Sequence, residues 1–333
     1  MKKILIIATG GTIACKKTEQ GLVPMLSSDE LLGLVPTIRQ IADVETLQLM
    51  SLDSTNMRPE HWIQMSRAIE ERYEEYEGFV ICHGTDTMAY TAAALSYLCQ
   101  NLRKPVVVTG SQKPIEEENT DARINLEDSV RYAASDDAFG VCMVFDGRVI
   151  SGTRARKMRT KSYNAFDTIN YPHLAVIQDG QIISYIRELK PYGRPTFYHT
   201  LNERIFVFKL IPGMDPGVLL KLEDSYDGFI IESYGVGGIP WIGAYSYDDV
   251  LAQLEKDGKI IVMATQVIHE GSDMTVYQVG RVAKEQYELM ETYDMTLEAA
   301  VTKLMWAMGQ EQDKRRIREL FYTTINHDML FHH

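Results

Sequence analysis

The chain has 333 residues, of which 24% are charged and 45% are hydrophobic, as expected for a globular protein with room for two domains. Its formal net charge of −12 argues against nucleic acid and anionic membrane surfaces as partners, because both attract basic proteins. No apolar run in the sequence approaches the roughly 20 residues that a membrane-spanning helix needs.

Strands and helices are predicted to alternate through the first part of the chain. Apolar runs bounded by glycine or proline predict strands, and apolar residues at helical spacing predict helices. In chain order these are the strand Lys3–Ala8, a helix opened by Pro59, the strand Gly78–Cys82, the helix Met88–Gln100, the strand Pro105–Thr109, the helix Ala122–Ser135 and the strand Gly140–Phe145. Such alternation is typical of βαβ units, so we predict an α/β fold with a parallel sheet.

The alternation is interrupted between Ile186 and Arg204, where prolines and a glycine lie among polar residues. We therefore predict an N-terminal domain of residues 1–188, a linker of residues 189–204 and a C-terminal α/β domain of residues 205–333. The elements expected in the second domain are the strands Ile205–Leu210, Gly228–Ile231 and Lys259–Ala264 and the helices Asp215–Leu222, Tyr247–Lys256, Thr296–Met308 and Asp313–Phe321.

The amino terminus and the cysteines indicate a cytoplasmic protein. The apolar run Ile4–Ala8 is too short for the core of a signal peptide. The four cysteines form no Cys-x-x-Cys pair and are interpreted as reduced core residues. For Cys15, three residues after Thr12, a role as a reactive thiol is the alternative. No Cys/His cluster has the spacing of zinc ligands, so neither a metal nor another cofactor is expected.

Thr12 is the first candidate for chemistry, because it lies on a glycine-rich turn directly after the first strand, in the run Ala8-Thr9-Gly10-Gly11-Thr12-Ile13-Ala14. Two glycines allow a sharp turn and bring backbone amides close to a bound group. A hydroxyl nucleophile needs free access to its target and hydrogen-bond donors for the oxyanion that it creates. A solvated threonine on an ordinary turn is the alternative that Thr12 alone leaves open.

Two further strands end in similar turns. His83-Gly84-Thr85-Asp86-Thr87 follows the strand Gly78–Cys82, and Gly110-Ser111-Gln112 follows the strand Pro105–Thr109. Ligands of open α/β sheets bind outside the carboxyl ends of the strands, so the three turns are expected to line one crevice. We interpret His83 as a buried, hydrogen-bonded support of its turn rather than as a proton carrier.

The paired motifs around Thr12 and Thr85 resemble the two signature motifs of the bacterial-type L-asparaginases, and most closely those of the type I, cytoplasmic branch. The resemblance implies a larger flavodoxin-like N-terminal domain, a smaller α/β C-terminal domain, and a homodimer or a dimer of dimers. Further similar blocks follow in order along nearly the whole chain: Asp53-Ser54-Thr55-Asn56-Met57, Thr109-Gly110-Ser111-Gln112, Asp121-Ala122-Arg123-Ile124-Asn125-Leu126, Gly152-Thr153-Arg154-Ala155-Arg156-Lys157 and Ser233-Tyr234-Gly235-Val236-Gly237-Gly238.

The resemblance implies hydrolysis of L-asparagine to L-aspartate and ammonia through a threonine acyl-enzyme intermediate. Thr12 would be the nucleophile, and Thr85, Asp86 and Lys157 would form the proton relay. Ser54 and Thr55 would bind the substrate's α-carboxylate and Asp86 its α-ammonium, although a capping role for Ser54 and Thr55 stays open. The implied substrate-binding residues are Gly11, Asp53, Ser54, Thr55, Gly84, Thr85, Asp86 and Ser111.

The role of Lys157 depends on its charge, because only a neutral lysine can act as a base. Asp86 favours the ammonium form and is therefore interpreted mainly as an orienting and substrate-binding group. Composition alone does not separate Lys157 from its basic neighbours, and only the match to the family motif selects it. Those neighbours are Arg154, Arg156, Arg159 and Lys161.

Two positions depart from the family pattern. Leu22 follows Glu19-Gln20-Gly21 on the loop where the family often has a tyrosine, with Tyr90 and Tyr234 as candidates to compensate. Gly238 stands where the family often has an asparagine, which removes a polar contact to a neighbouring subunit.

Four other functions compete with asparagine hydrolysis. Glutamine as the main substrate stays open, because one methylene changes binding by only ~1–3 kcal/mol. The amidase subunit of a tRNA-dependent amidotransferase is disfavoured, because the first strand begins at Lys3 and leaves no room for an added N-terminal region. A non-catalytic amide-binding sensor is expected to lack Thr12, Thr85 or Lys157, and all three are present. A nucleotide-binding module would need a G-x-G-x-x-G motif or a P-loop, which this sequence does not contain.

Overall fold

The computed structural model describes residues 1–18 and 21–330 of the chain. The described residues divide into two compact units. The first comprises Met1–His199 with Ile325–His327, and the second comprises Thr200–Thr324 with the residues from Asp328 onward. No helix in the described ranges is long and apolar enough to cross a membrane.

The first unit is built around a large sheet with helices on its faces. Its helices are α1 (Ser28–Gly33), α2 (Ile38–Ile41), α3 (Pro59–Arg72), α4 (Met88–Leu98) and α5 (Ala122–Ala133). Its strands are β1 (Lys3–Gly10), β2 (Cys15–Thr18), β3 (Gly21–Pro24), β4 (Asp43–Leu52), β5 (Gly78–Cys82), β6 (Cys99–Gln100), β7 (Pro105–Thr109), β8 (Gly140–Phe145), β9 (Arg148–Ser151), β10 (Ala155–Lys157), β11 (Phe166–Thr168), β12 (Ala175–Gln178), β13 (Gln181–Ser184) and β14 (Thr196–Phe197).

The large sheet has the strand order β13-β12-β9-β8-β7-β5-β1-β4. Five neighbouring strands, β4, β1, β5, β7 and β8, pair in parallel. The strands β9, β12 and β13 extend the sheet in antiparallel fashion. Numbered along the chain, the five parallel strands have the order 2-1-3-4-5, which is the flavodoxin-like order. The chain reverses direction across the sheet between β1 and β5, and ligands bind at such a switch point in this fold.

The central strands form because their sequences are almost continuously apolar, as in strands that are covered on both faces. β5 and β7 are buried at every position. β1 and β5 pair from Ile4 and Gly78 to Ala8 and Cys82, so the two strands end side by side. This register brings the turns after β1 and β5 together.

The second unit has a parallel sheet of strand order β15-β16-β17-β18. Its core includes Phe229, Met263, Tyr247 and Leu251. Its strands are β15 (Ile205–Lys209), β16 (Gly228–Ser233), β17 (Ile260–Thr265) and β18 (Met290–Glu291), and its helices are α6 (Asp248–Lys256), α7 (Gln278–Gln286), α8 (Leu297–Gln310) and α9 (Lys314–Tyr322). The prediction of a two-domain α/β fold, with a larger flavodoxin-like N-terminal domain and a smaller α/β C-terminal domain, is confirmed.

Several predicted element boundaries were wrong. The segment Asp215–Leu222 is not one helix but two short 3₁₀ turns, Pro216–Val218 and Leu220–Leu222. The helix predicted to reach Gln100 ends at Leu98, and the next two residues form β6. β6 pairs in antiparallel fashion with β14, which lies in the segment predicted as a linker.

Candidate active site

Three turns meet at the carboxyl edge of the large sheet, and glycine is required where they touch. Gly11 has φ = 77°, and a Cβ built on it would lie 2.2 Å from the backbone nitrogen of Gly84. A Cβ on Gly84 would lie 2.5 Å from Ser54 Oγ, and a Cβ on Gly110 would lie 2.2 Å from the carbonyl oxygen of His83. Close backbone contact therefore brings together the turns that follow β1, β5 and β7.

Thr12 begins a short 3₁₀ turn (Thr12–Ala14) after β1 and is half-buried. Within the described ranges, its hydroxyl has no hydrogen-bond partner. The amide of Gly11 donates to the carbonyl of Leu52 at 2.9 Å and is therefore not available to a ligand. A half-buried threonine whose hydroxyl has no partner in the described part of the chain suits a nucleophile on a turn.

Lys157, Thr85 and Asp86 are in direct contact. Lys157 Nζ donates to Thr85 Oγ1 at 2.8 Å and to Asp86 Oδ1 at 2.7 Å. Lys157 lies at the end of β10, in a hairpin with β11, and only 18% of its side chain is exposed, whereas Asp86 is exposed. The Lys157 amine is thus largely buried, while the side chain of Asp86 is open to solvent.

Two of the neighbouring basic residues are engaged away from Thr85. Arg154 is fully buried and donates through Nε to the carbonyl of His327 at 2.5 Å. Arg159 donates to the carbonyl of Asn164 at 2.9 Å. Lys157, the residue that the motif match selects, instead donates to Thr85 on the second turn.

His83 is fully buried and supports the second turn through hydrogen bonds, as expected. Its Nδ1 lies 2.7 Å from the carbonyl oxygen of Gly84 and must carry the hydrogen, because a carbonyl only accepts. Its Nε2 then accepts from Thr91 Oγ1 at 2.9 Å, and that oxygen accepts from Trp62 Nε1 at 2.9 Å. Burial lowers the pKa of His83 to about 4, so the ring is neutral near pH 7.

The turn after β4 carries the predicted carboxylate-binding residues. Asp53 Oδ1 accepts from the amide of Thr55 at 2.9 Å and caps the 3₁₀ turn Ser54–Asn56, so the capping oxygen comes from Asp53. Ser54 is buried against Gly84, and its carbonyl accepts from Thr87 Oγ1 at 2.8 Å. Asp53 and Thr55 are exposed on the same turn.

Ser111 and Gln112 belong to the third turn. Ser111 is fully buried, and its hydroxyl donates to the carbonyl of Lys113 within the turn. Gln112 was not singled out from the sequence, yet its Oε1 accepts from Thr85 Oγ1 at 3.3 Å. Its position in the run Thr109-Gly110-Ser111-Gln112 was the only signal that could have indicated it.

The cysteines are buried and free in the structure, in agreement with the interpretation as core residues. Cys15 Sγ donates to the carbonyl of Gly11 at 3.3 Å. Burial, with the nearby Asp53 carboxylate, raises the pKa of Cys15 to about 11, which disfavours the thiolate that a reactive cysteine needs. Among the described residues, no group of His, Cys, Asp and Glu side chains could hold a metal ion.

The two departures from the family pattern lie in different units. Leu22 lies in β3 and pairs with Lys17, while Glu19 and Gln20 lie outside the described residues. In the second unit, the amide of Gly238 donates to the carbonyl of Tyr234 at 2.7 Å and closes a tight loop.

Comparison with known proteins identifies the family. The family model "Asparaginase, N-terminal" matches residues 3–190, and the model "Glutaminase/Asparaginase C-terminal domain" matches residues 204–321. The chain belongs to the L-asparaginase family and is an enzyme of that class.

Individual relatives agree with this assignment. The chain is 40% identical to an L-asparaginase of Thermococcus kodakarensis, with 97% of this chain and 98% of the relative covered. It is 35% identical to L-asparaginase 1 of Escherichia coli K12, with 96% and 95% covered, which supports the type I branch. It is also 34% identical to one component of the glutamyl-tRNA(Gln) amidotransferase of Metallosphaera sedula, with 97% of this chain and 76% of that relative covered.

Solved structures give the same result. The thermostable L-asparaginase from Thermococcus kodakarensis superposes with a TM-score of 0.93 at 38% identity, with 99% of this chain and 100% of that chain covered. A structure from Campylobacter jejuni, named a probable cytoplasmic L-asparaginase, has a TM-score of 0.84 at 27% identity, with 97% and 100% covered.

Proposed function

We propose that the protein hydrolyses L-asparagine to L-aspartate and ammonia through an acyl-enzyme on Thr12. The observation that carries this proposal is the Lys157–Thr85 contact on a turn that packs against the turn of Thr12, whose hydroxyl has no partner among the described residues. A side-chain amide is a poor electrophile with a poor leaving group, and covalent catalysis divides its hydrolysis into two easier steps.

In the first step Thr12 Oγ1 attacks the side-chain amide carbon. The C–O bond forms, the C–N bond breaks, and the threonine proton leaves with the nitrogen as ammonia. In the second step water attacks the ester, its hydroxyl becomes part of the aspartate carboxyl, and its proton returns to Thr12. Thr85 and Lys157 move protons in both steps, a role that typically contributes ~10²–10⁴-fold.

The oxyanion of each tetrahedral intermediate needs fixed donors. The Gly11 amide is engaged with Leu52, so we assign this role to the backbone amides of Thr12 and Thr85. Loss of one such donor typically costs about 3 kcal/mol of transition-state stabilisation.

Charged and polar groups around Thr12 would position the substrate. The exposed carboxylate of Asp86 suits the α-ammonium, and Ser54 and Thr55, on the turn that Asp53 caps, suit the α-carboxylate. Gly11, Gly84 and Ser111 would shape the pocket through backbone contact, since no Cβ fits at either glycine and the Ser111 hydroxyl is engaged. When the α-ammonium and α-carboxylate at one end of the short substrate are held, its side-chain amide at the other end is positioned for attack by Thr12.

The proposal is tested by measuring ammonia release from L-asparagine and L-glutamine in parallel, for the wild type and for Thr12→Ala. Turnover of asparagine that disappears in a folded Thr12→Ala variant supports it. Faster turnover of glutamine would replace it with the glutaminase alternative. Binding of either amide without ammonia release would favour a non-catalytic sensor.

We further propose that the protein is cytoplasmic and works as a homodimer or a dimer of dimers, without a cofactor. The Campylobacter jejuni structure named a probable cytoplasmic L-asparaginase supports the location. Light scattering after size-exclusion chromatography measures the oligomer, and a monomer at micromolar concentration would overturn that part of the proposal.

A further inference from the structure

We infer that Asn326 is a positioning residue that holds the strand β10, and with it Lys157, in place against Thr85. The inference rests on the hydrolysis proposed above, because it concerns how the lysine that moves protons is held. Asn326 lies in the segment Ile325–His327, which belongs to the first unit.

The strand that carries Lys157 is not part of the large sheet. Among the described strands, β10 pairs only with β11, in a separate two-stranded sheet. Thr85 follows β5, which lies within the large sheet, and precedes α4. Hydrogen bonds of the large sheet therefore do not fix Lys157 relative to Thr85. The turn of residues 152–154, which joins β9 of the large sheet to β10, is where other contacts can fix it.

The side chain of Asn326 connects α4 and β8 at this turn. Its Nδ2 donates to Ser96 Oγ, on α4, and to the carbonyl of Val141, on β8, both at 2.8 Å. A carbonyl only accepts, so the amide nitrogen of Asn326 must face Val141. The amide of Gly152 donates to the same Val141 carbonyl at 3.0 Å, and a Cβ on Gly152 would lie 2.7 Å from Ser96 Oγ. The helix α4 and the turn of residues 152–154 thus meet at Asn326.

The backbone carbonyl of Asn326 holds the turn itself. It accepts from Ser151 Oγ at 2.8 Å and from Thr153 Oγ1 at 2.5 Å. Ser151 and Thr153 are fully buried, so water does not compete for these bonds. A carbonyl oxygen has two lone pairs, and both are used here. Asn326 therefore binds α4 and β8 through its side chain, and the residues that precede β10 through its carbonyl oxygen.

The conformation of the segment suits asparagine. Asn326 has φ = 49°, in the left-handed region, which asparagine adopts more readily than most residues with a side chain. The carbonyl of His327 accepts from Nε of the buried Arg154 at 2.5 Å, and the His327 ring stacks on Tyr171 with 4.7 Å between ring centres. These contacts make the segment a fixed support for the turn before β10.

The support matters for proton transfer because Lys157 is the last residue of β10. Its Nζ must stay within hydrogen-bonding distance of Thr85 Oγ1, which lies at 2.8 Å, if the two groups are to exchange protons. A displacement of about 1 Å at an active site can lower a rate by ~10²-fold. Asn326 acts on the reaction through the position of Lys157.

Crystal structures of the wild type and of Asn326→Gly test the inference without any assay of activity. Glycine keeps the left-handed backbone and the carbonyl oxygen but removes the bridge to Ser96 and Val141. We expect Lys157 Nζ and Thr85 Oγ1 to move beyond hydrogen-bonding distance in the variant. Retention of the wild-type contact would overturn the inference.

Kinetics test the consequence. We expect Asn326→Gly to lower kcat for asparagine about 10- to 100-fold and to leave KM within about twofold, because the turn of Ser54 and Thr55 is untouched. Asn101→Gly is the matched control, because Asn101 also has a left-handed backbone, at φ = 56°, but is exposed. The control should match the wild type. Unchanged kcat in folded Asn326→Gly would contradict the inference.

The hydroxyl of Thr153 separates positioning from a general loss of stability. Thr153→Val removes the hydrogen bond to the Asn326 carbonyl with little change of shape, whereas Thr153→Ser keeps a hydroxyl there. We expect the valine variant to lose kcat and the serine variant to keep most of it, with denaturant unfolding as the measure of stability. A valine variant that is less stable but keeps the wild-type kcat would show a purely structural role and overturn the inference.

The outcome for the proposed function is separate. If the wild type releases no ammonia from asparagine, the hydrolysis proposed above fails. The Lys157–Thr85 contact in the two crystal structures still decides whether Asn326 positions Lys157.

Discussion

Gly11 and Gly84, 73 residues apart in the chain, lie so close that no side chain fits at Gly11. A Cβ on Gly11 would lie 2.2 Å from the nitrogen and 2.4 Å from the Cα of Gly84. This contact is backbone against backbone, so neither partner can rotate away. It fixes the distance between the turn that carries Thr12 and the turn that carries Thr85.

Gly11→Ala should therefore abolish turnover and lower the stability of the first unit. The methyl group would push the two turns apart, and φ = 77° adds strain to any residue with a Cβ. Gly33→Ala is the matched control, because Gly33 ends α1 and nothing lies within 4 Å of its added Cβ. Denaturant unfolding and ammonia release measure both effects. Wild-type kcat in Gly11→Ala would show that the turns can separate without loss of function.

Lys157→Met should reduce kcat for asparagine by ~10²–10⁴-fold, the usual contribution of an acid–base group, while the protein stays folded. The substitution removes both donated hydrogen bonds, to Thr85 and to Asp86, but keeps most of the apolar stem. Lys161→Met, at an exposed position in the following loop, is the control. Equal losses in the two variants would assign the effect to net charge rather than to the relay.

The sequence predicts the strands that support the site better than the contacts between its side chains. β5, β7 and β8 were predicted with their observed boundaries, because each is a continuous apolar run bounded by glycine or proline. β4 had no predicted boundaries, since its side chains alternate between half-buried and exposed in a mixed polar sequence. The helix α7 was missed because its sequence is mostly polar.

Within the candidate site, the positions of the turns were likewise easier to predict than the contacts between side chains. Thr12 and Thr85 were predicted to line one crevice, because ligands bind beyond the carboxyl ends of parallel strands. The contact between Gln112 and Thr85 depends on how three turns pack against one another, which no local pattern of the sequence encodes. For the same reason, the sequence did not indicate that Asp53 caps the turn containing Ser54 and Thr55.

The buried His83 should make the protein less stable in mild acid. Its pKa is about 4 in the folded state, because of burial, and about 6.5 in an unfolded chain. Between these values the unfolded chain binds the proton and the folded chain does not, so stability falls as the pH drops from about 6.5 to 4. The full loss is about 3 kcal/mol. Denaturant unfolding at several pH values should show this slope, and it should be shallower in His83→Asn, which cannot titrate. Parallel slopes in the two proteins would assign the acid sensitivity to other groups.

Asp128 should produce the opposite slope over nearly the same range. It is 9% exposed on α5, and burial, reinforced by Glu127, raises its pKa to about 6. The unfolded chain ionises at about 3.9 and the folded chain only near 6, so Asp128 costs stability increasingly as the pH rises between these values. Asp128→Asn removes this cost, and we expect it to stabilise the protein at pH 7 by about 1 kcal/mol, less than the full shift because part of the carboxyl reaches solvent. At about pH 3, below both pKa values, the two proteins should be equally stable. As the pH falls, protonation of His83 in the unfolded chain lowers the stability of the protein, whereas protonation of Asp128 in the folded chain raises it. His83→Asn should therefore make the loss of stability in acid less steep, and Asp128→Asn should make it steeper. Asp128→Asn that is neutral at pH 7 would show that the carboxylate is solvated in the folded state.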